Sequence, residues 1–245
     1  MSNDGHIMSV VVCPLDLTFA VDSSGTINFK GPNNWNISKK FVADVTSQLR
    51  IGVGPNDTRV ALVLFSTQAE VRWHLREYQE KTSLINAILN LPYLGNKTNL
   101  NDALYLTRTQ VYGQDLPRPN AVKVTVIVTD GYDDVPMVDT PLTLENASSS
   151  RSSGIRLIAV GVTNDVDTPR LITIVDSPAN YHHVEDFDAL SSLVDRLNAP
   201  ELCLGKIIAH QSVIEGRTYA ALAKMFDCRI SLCTCWDDYA QLSCV

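Results

Sequence analysis

The stretch that decides the fold is LDLTFAVDSSGT, residues 15–26. Its first half is rich in apolar residues, as in a β-strand covered on both faces. It ends in Asp22, Ser24 and Thr26, spaced as D-x-S-x-T. In an open α/β sheet, the loops after the carboxyl ends of parallel strands form the ligand-binding crevice. The stretch therefore predicts a buried parallel strand that delivers three oxygen-bearing side chains to such a crevice.

One carboxylate and two hydroxyls are ligands that suit a hard divalent cation. Mg²⁺ fits this set best, with Mn²⁺ or Ca²⁺ as alternatives. The same residue types are common in turns, where their side chains bond nearby backbone amides. The motif alone therefore leaves a metal site and an ordinary turn open, and two later segments decide between them.

Those two segments carry further oxygen-bearing side chains. The stretch GNKTNLNDA, residues 95–103, places Thr98 in a loop just before a predicted helix. The strongest β run, VKVTVIV at residues 122–128, is followed after one residue by Asp130. We expect all three segments to reach the same edge of the sheet.

The order of predicted elements indicates an α/β fold with a doubly wound, mostly parallel sheet, one antiparallel edge strand and helices on both faces. The edge strand is antiparallel because a parallel return needs a crossover of a dozen residues or more. After the first strand, the predicted strands are residues 58–67, 69–78, 122–128, 155–162 and 181–184. The predicted helices are residues 34–49, 82–91, 100–112, 142–153, 168–175 and 188–198. Residues 27–34 are expected to be irregular.

Composition excludes several classes of partner. The chain has 245 residues, a net charge of −7 and a pI near 5.2. An acidic chain is poorly suited to nucleic acid or to an anionic membrane surface. No apolar run approaches the roughly 20 residues of a membrane span.

The six cysteines favour an exported protein, because an even number with four crowded near one end is typical of disulfides. They are Cys13, Cys203, Cys228, Cys233, Cys235 and Cys244. We predict a main domain over residues 13–204 and a small Cys-rich tail over residues 205–245. Disulfides in the tail are favoured over a zinc site, since C-x₄-C-x-C-x₈-C lacks the usual C-x₂-C pairs.

Residues 1–12 precede the main domain and do not resemble a complete secretion signal, because they lack a basic segment and a long apolar core. Two interpretations follow: a leader missing from this sequence, or a protein that stays inside the cell. The cysteines favour the first. The sequons at Asn36, Asn56, Asn96 and Asn146 are compatible with secretion and mark possible glycosylation sites.

Five pieces of the sequence, in order, resemble the von Willebrand factor type A domain and its metal-ion-dependent adhesion site. They are LDLTFAVDSSGT, GNKTNLNDAL, VTVIVTDG, IRLIAVGV and YHHVEDFDAL. The resemblance covers about residues 13–203. The opening CPLDLTFAVDSS and a cysteine after the last helix are typical of the extracellular-matrix branch, which includes matrilins and non-fibrillar collagens. The resemblance thus implies that Cys13 and Cys203 clamp the two ends of the domain.

The resemblance also implies a role for each candidate residue. Ser24, Thr26 and Thr98 would be hydroxyl ligands, and Asp22 and Asp130 would act mainly through bound water. Hydroxyls carry no charge, so the cation stays under-neutralised, and an octahedral Mg²⁺ keeps one water-filled position. A Glu or Asp of a partner protein would displace that water.

The chain departs from the family pattern at Thr26, where serine is usual. The hydroxyl is kept, but the extra methyl group restricts χ1. The stretch between Thr26 and the next predicted helix is also longer than the family pattern.

These features predict a secreted adhesion module of the extracellular matrix that binds a matrix protein through the cation, with a collagen as one candidate. One alternative is a structural module that links matrix polymers without using the metal. Another is self-association, in which Asp237 or Asp238 of the tail enters the metal site of a neighbouring molecule. An enzyme is disfavoured, since the chain has no G-x-S-x-G, P-loop or G-x-G-x-x-G motif and Ser24 replaces the second acid of D-x-D-x-T.

Overall fold

The structure, a computed structural model, describes residues 13–114, 118–131 and 140–203. Its centre is a six-stranded sheet with the order β3-β2-β1-β4-β5-β6. The strands are β1 (Leu15–Asp22), β2 (Thr58–Phe65), β3 (Ala69–Trp73), β4 (Val122–Thr129), β5 (Ile155–Val162) and β6 (Tyr181–Val184). All neighbouring pairs are parallel except β2 and β3. The predicted fold class and its antiparallel edge are confirmed.

Helices pack on both faces of the sheet. They are α1 (Gly25–Phe29), α2 (Asn34–Ser47), α3 (Lys81–Leu89), α4 (Leu100–Leu106), α5 (Tyr112–Gln114), α6 (Thr140–Ser152) and α7 (Thr168–Ile174). Apolar residues of α2 and α3 join the core that contains Phe19, and those of α4 and α7 join the core that contains Ala20. In the part of the chain that the structure describes, no helix is long and apolar enough to cross a membrane.

β1 is the central strand, and every one of its eight residues is buried. It lies between β2, which follows it in sequence, and β4, which begins 100 residues later in the chain than Asp22. The direction of winding changes between β1 and β4. Ligand sites of open α/β sheets form at such a switch point, outside the carboxyl ends of the strands.

The stretch after the D-x-S-x-T motif differs from the prediction. Residues 27–34 are not irregular throughout, because α1 begins directly after Ser24. Buried Ile27 anchors this short helix, and the Asn34 side chain donates to the Ile27 carbonyl at 2.9 Å. Five residues are too few for a helical periodicity, so contacts with the rest of the fold define α1.

Three other elements differ in helix type or by more than two residues. The helix predicted over residues 100–112 widens after Leu106 into a π-helical turn, Thr107–Val111. The helix predicted over residues 188–198 is a 3₁₀ segment, Asp188–Leu197. β3 ends at Trp73 rather than at residue 78, where the chain enters a hydrogen-bonded turn.

Cys13 and Cys203 form a disulfide, with their Cα atoms 6.3 Å apart. This is the pairing that the family resemblance implies. It closes a loop across a sequence separation of 190 residues, which stabilises the fold by about 5 kcal/mol in the chain-entropy model. The predictions for Cys228, Cys233, Cys235 and Cys244 lie outside the described residues.

Candidate metal centre

The fold brings the D-x-S-x-T segment and Asp130 to one edge of the sheet. Asp22 is the last residue of β1, and Asp130 directly follows β4. The two strands are parallel neighbours with Val21 opposite Val128, so their carboxyl ends lie side by side. Both acids are almost completely buried.

Hydrogen bonds join these residues into one network. Asp22 Oδ1 accepts the Ser24 backbone N–H at 2.8 Å, and Asp22 Oδ2 accepts the Thr129 hydroxyl at 2.6 Å. The Ser24 and Thr26 hydroxyl oxygens lie 3.0 Å apart. Thr26 Oγ1 in turn donates to Asp130 Oδ1 at 2.8 Å. Four of the five predicted site residues are therefore connected.

The loop that carries Thr98 packs against the same turn. The Leu94 N–H donates to Ser23 Oγ at 2.9 Å, and the Gly25 N–H donates to the Asn96 carbonyl at 2.7 Å. Tyr93 adds a third contact, because its hydroxyl donates to the Ser24 carbonyl at 2.8 Å. These bonds hold the 93–98 loop beside the D-x-S-x-T segment.

Backbone conformation shapes this loop. Gly95 has φ +67° and Asn96 has φ 73°, both in the left-handed region. Glycine and asparagine are the residues that adopt this region at least cost. The loop then ends at Asn99, which caps α4 by accepting the Asp102 N–H at 3.0 Å.

Thr98 differs from the other four residues. It is 2% exposed, and its hydroxyl has no hydrogen-bond partner among the described residues. A buried polar group without a partner costs about 1–3 kcal/mol. Such an orphaned oxygen, in a loop that is hydrogen-bonded to the D-x-S-x-T segment, is the arrangement expected where a bound cation would complete the site.

The negative charges of the two acids are only partly compensated. Burial, and secondly the negative charge of Asp130, raise the pKa of Asp22 to about 7. Burial also raises the pKa of Asp130, while the Lys30 charge and the Thr26 hydroxyl oppose that rise. A divalent cation would favour the ionised form of both carboxyl groups.

Lys30 is the charged residue of this site that the sequence prediction missed. Its Nζ lies 3.3 Å from Asp130 Oδ2. The i, i+4 spacing from Thr26 is the signal that could have found it, since such residues are neighbours on a helix. This spacing is informative only in a helix, and the prediction of an irregular stretch over residues 27–34 therefore concealed it.

The donor set fits a hard cation. Within the described residues, no group of three or more His, Cys, Asp or Glu side chains could hold a metal ion. A site with two acids and three hydroxyls lies outside that pattern. All-oxygen donors with few carboxylates suit Mg²⁺ and similar ions rather than a thiolate- or imidazole-binding metal.

One apolar side chain stands out beside this centre. Phe29, one helical turn after Thr26 in α1, is 91% exposed. A cleft of about 340 Å³ lies at the β2–β3 turn, with Gln68, Leu94 and Asn96 among its lining residues. The site thus has an aromatic side chain and a cleft in its surroundings.

The four sequons differ in their surroundings. Asn36, Asn56 and Asn96 are exposed. Asn146 is half-buried, and its side-chain amide donates to Asn101 Oδ1 at 2.8 Å and accepts from Arg108 at 3.0 Å. Asn96 belongs to the sequon Asn-Lys-Thr whose threonine is Thr98.

The sequence profile of the von Willebrand factor type A domain matches residues 16–196. The chain is 32% identical to human matrilin-3 over 206 residues, which cover 80% of this chain and 40% of matrilin-3. It is 30% identical to the collagen alpha-1(XXI) chain of Xenopus laevis over 184 residues, covering 74% of this chain and 18% of that protein. The chain therefore spans less than half the length of these relatives.

Solved structures share the fold. Proximal thread matrix protein 1 from the mussel byssus, with a zinc-occupied MIDAS motif, has a TM-score of 0.68 and 27% identity, covering 79% of this chain and 46% of that one. A von Willebrand factor type A protein from Catenulispora acidiphila has a TM-score of 0.63 at 18% identity, covering 78% of this chain and 43% of that one. The second comparison concerns the fold alone.

Proposed function

Because the chain belongs to the von Willebrand factor type A domain family, with matrilins and collagens among its relatives, we propose that it is a non-enzymatic adhesion module of the extracellular matrix. It binds a matrix protein through a divalent cation at the candidate metal centre. Mg²⁺ is the favoured ion, with Mn²⁺ or Ca²⁺ as alternatives. The zinc-occupied motif of the mussel protein supports a divalent cation at this edge of the fold.

The five site residues divide into two groups. Ser24, Thr26 and Thr98 would hold the cation through their hydroxyl oxygens, and Asp22 and Asp130 would hold its water shell. When bound, the cation supplies a positive charge that a partner's carboxylate can ligate. Since the three hydroxyls are neutral, most of that charge remains available to the partner.

The observation that carries this proposal is the buried Thr98 hydroxyl, which has no hydrogen-bond partner in the part of the chain that the structure describes. A hydroxyl kept for packing alone is normally satisfied by a nearby backbone or side-chain group. A cation at the centre would give it the partner that it lacks. The charge imbalance at Asp22 and Asp130 points the same way.

The partner would be a matrix protein that offers an exposed Asp or Glu. A collagen is one candidate, and the exposed Phe29 ring favours an acidic residue with an apolar neighbour. Secretion and an extracellular location are part of the same proposal, supported by the matrix relatives and the Cys13–Cys203 disulfide.

The test measures binding of the full chain to surfaces of purified matrix proteins, including collagens, in Mg²⁺ and in EDTA. Thr98→Val replaces only the unpartnered hydroxyl with a methyl group, and we expect it to reduce binding as strongly as EDTA does. Thr107→Val is the matched control, because among the described residues Thr107 Oγ1 is also buried without a partner but lies in the π-helical turn. In EDTA, Thr98→Val should unfold at or above the wild-type temperature, since it removes an unsatisfied buried group and keeps the side-chain volume. Full binding by Thr98→Val, or in EDTA, would contradict the proposal.

A structural module is the second candidate, because the chain is similar to proximal thread matrix protein 1 of the mussel byssus as well as to matrilin-3 and a collagen chain. It would link polymers through its surface or through the Cys-rich tail, residues 205–245, with residues 13–204 as an independent domain. Self-association through Asp237 or Asp238 is a version of this candidate. Partner binding or oligomers that persist in EDTA would favour the structural role, and oligomers that require both Mg²⁺ and the tail would favour the metal-linked version.

A further inference from the structure

Lys30 places its ammonium group against one of the two acids of the candidate centre. Its Nζ lies 3.3 Å from Asp130 Oδ2 and donates to the Asp130 backbone carbonyl at 2.8 Å. The Lys30 side chain is 20% exposed, and that of Asp130 is completely buried. Because the pair is largely removed from water, salt screens it less than an exposed pair.

Two groups outside the predicted ligand set also hold the ammonium. Lys30 Nζ donates to Thr163 Oγ1 at 3.0 Å and lies 3.4 Å from Asp165 Oδ2. Thr163 follows β5 and has a left-handed backbone, with φ 72°. Its N–H donates to the Val184 carbonyl at 2.9 Å, which fixes its position against β6. Lys30 therefore keeps partners in the loop after β5 whatever happens at Asp130.

The two oxygens of Asp130 have different neighbours. Oδ1 accepts the Thr26 hydroxyl, and Oδ2 faces Lys30. Among the residues that the structure describes, Oδ2 has no hydrogen-bond partner, so the nearby ammonium charge compensates it. A divalent cation at the centre would compensate the same carboxylate. Two positive charges so close together in a buried site repel each other strongly.

We propose that Lys30 is a tethered counter-cation of the metal centre, and that it weakens divalent-cation binding by competing for Asp130. This inference rests on the proposed metal site. Without a divalent ion, Lys30 compensates the buried acid. With the ion bound, the ammonium relies on Thr163 and Asp165. The competition sets the cation concentration at which the site fills.

The experiment is calorimetric titration of Mg²⁺ and Mn²⁺ into the full chain. Lys30→Gln, which removes the charge and keeps a polar side chain, should lower Kd by about tenfold, the equivalent of 1.4 kcal/mol. Lys30→Arg should bind close to wild type because the charge remains. Lys40→Gln is the matched control, since Lys40 pairs with Asp44 on the exposed face of α2, and it should leave Kd unchanged.

Equal or weaker metal binding by Lys30→Gln would overturn the inference. Asp130→Asn separates this failure from failure of the site. If wild type binds metal, Asp130→Asn does not, and Lys30→Gln shows no gain, only the role of Lys30 is wrong. If neither wild type nor Lys30→Gln binds metal, the proposed site is wrong as well.

A second measurement does not depend on the folding of Lys30→Gln. Reductive methylation with ¹³C-formaldehyde labels lysines and keeps their charge, and the Lys30 signal is assigned by its absence in Lys30→Arg. The Lys30 methyl resonance of the wild-type chain should shift on addition of Mg²⁺, while the Lys40 resonance stays in place. A Lys30 resonance that does not respond to saturating Mg²⁺ would also overturn the inference.

Discussion

The Thr26 hydroxyl donates to Asp130 Oδ1 over 2.8 Å, although 104 residues separate the two in sequence. The bond joins the first turn of α1 to the end of β4. It therefore connects two of the three segments that form the candidate centre, at the position where the family usually has serine. The hydroxyl makes the contact, and the extra methyl group of threonine takes no part in it.

Substitutions at Thr26 should separate these two parts of the side chain. Thr26→Ser keeps the hydroxyl and should bind Mg²⁺ at least as well as wild type. Thr26→Val keeps the shape but leaves Asp130 Oδ1 without its donor, so it should lose metal binding and about 1–3 kcal/mol of stability. Calorimetry and urea unfolding in EDTA measure the two effects. Wild-type metal affinity in Thr26→Val would exclude Thr26 as a ligand.

The metal-free domain should become less stable as pH rises from 4 to 7. The pKa of Asp22 is raised from 3.8 to about 7, so in this range the native state holds a proton that the unfolded chain has released. The stabilisation is largest near pH 4 and is lost by about pH 7, and a shift of this size corresponds to at most about 4 kcal/mol. Unfolding in EDTA at several pH values, as the difference between wild type and Asp22→Asn, isolates this contribution.

Saturating Mg²⁺ should reverse the contribution of Asp22, since the cation favours its ionised form. If the difference in unfolding free energy between wild type and Asp22→Asn grows with pH in EDTA, Asp22 is ionised without metal and the prediction is wrong.

Phe29 should contribute to partner binding and not to metal binding. The ring is 91% exposed, so Phe29→Ala removes little packing and should not change stability. It should weaken the binding of a matrix partner by about 1 kcal/mol or more, as expected for an aromatic contact at an interface. The affinity for Mg²⁺ should stay unchanged. Val53, 51% exposed in the loop before β2, gives the control variant Val53→Ala. An equal loss of partner binding in the two variants would show that Phe29 does not contact the partner.

Glycan occupancy should follow the surroundings of each sequon when the chain is secreted from eukaryotic cells. Asn36, Asn56 and Asn96 are exposed and can carry glycans, whereas Asn146 is half-buried between Asn101 and Arg108, and a glycan there would disturb both contacts. Peptide mapping after enzymatic deglycosylation measures occupancy. A fully occupied Asn146 in folded protein would contradict the described side-chain arrangement.

A glycan on Asn96 would lie two residues from Thr98. We expect Asn96→Gln from the same cells to bind a matrix partner more tightly than the glycosylated wild type, while Asn36→Gln has no effect. The two chains should bind alike when both are made without glycans.

Strand positions could be predicted from the sequence because buried parallel strands are apolar runs bounded by turns. β5 and β6 have the predicted bounds, and β4 differs by one residue. The convergence of Asp22 and Asp130 also follows from the sequence, since each comes at the carboxyl end of such a run. The pairing of Cys13 with Cys203 came from family resemblance alone.

The environment of Lys30 could not be predicted in this way. Its partners Asp130 and Thr163 are 100 and 133 residues away in sequence, and α1, which orients it, is held by tertiary contacts. The lack of a partner for the Thr98 hydroxyl among the described residues could not be predicted from the sequence either. It depends on how the loop packs in the folded domain.

The Cys13–Cys203 bridge has a mechanical consequence. A pulling force on the chain would pass from Cys13 to Cys203 through the disulfide. The hydrogen bonds between β1 and its neighbouring strands would then carry almost none of that force. The disulfide lies before the start of β1, whereas Asp22 lies at the opposite end of that strand. A fibre containing this domain could therefore be stretched without loading the edge of the sheet where the candidate metal centre lies.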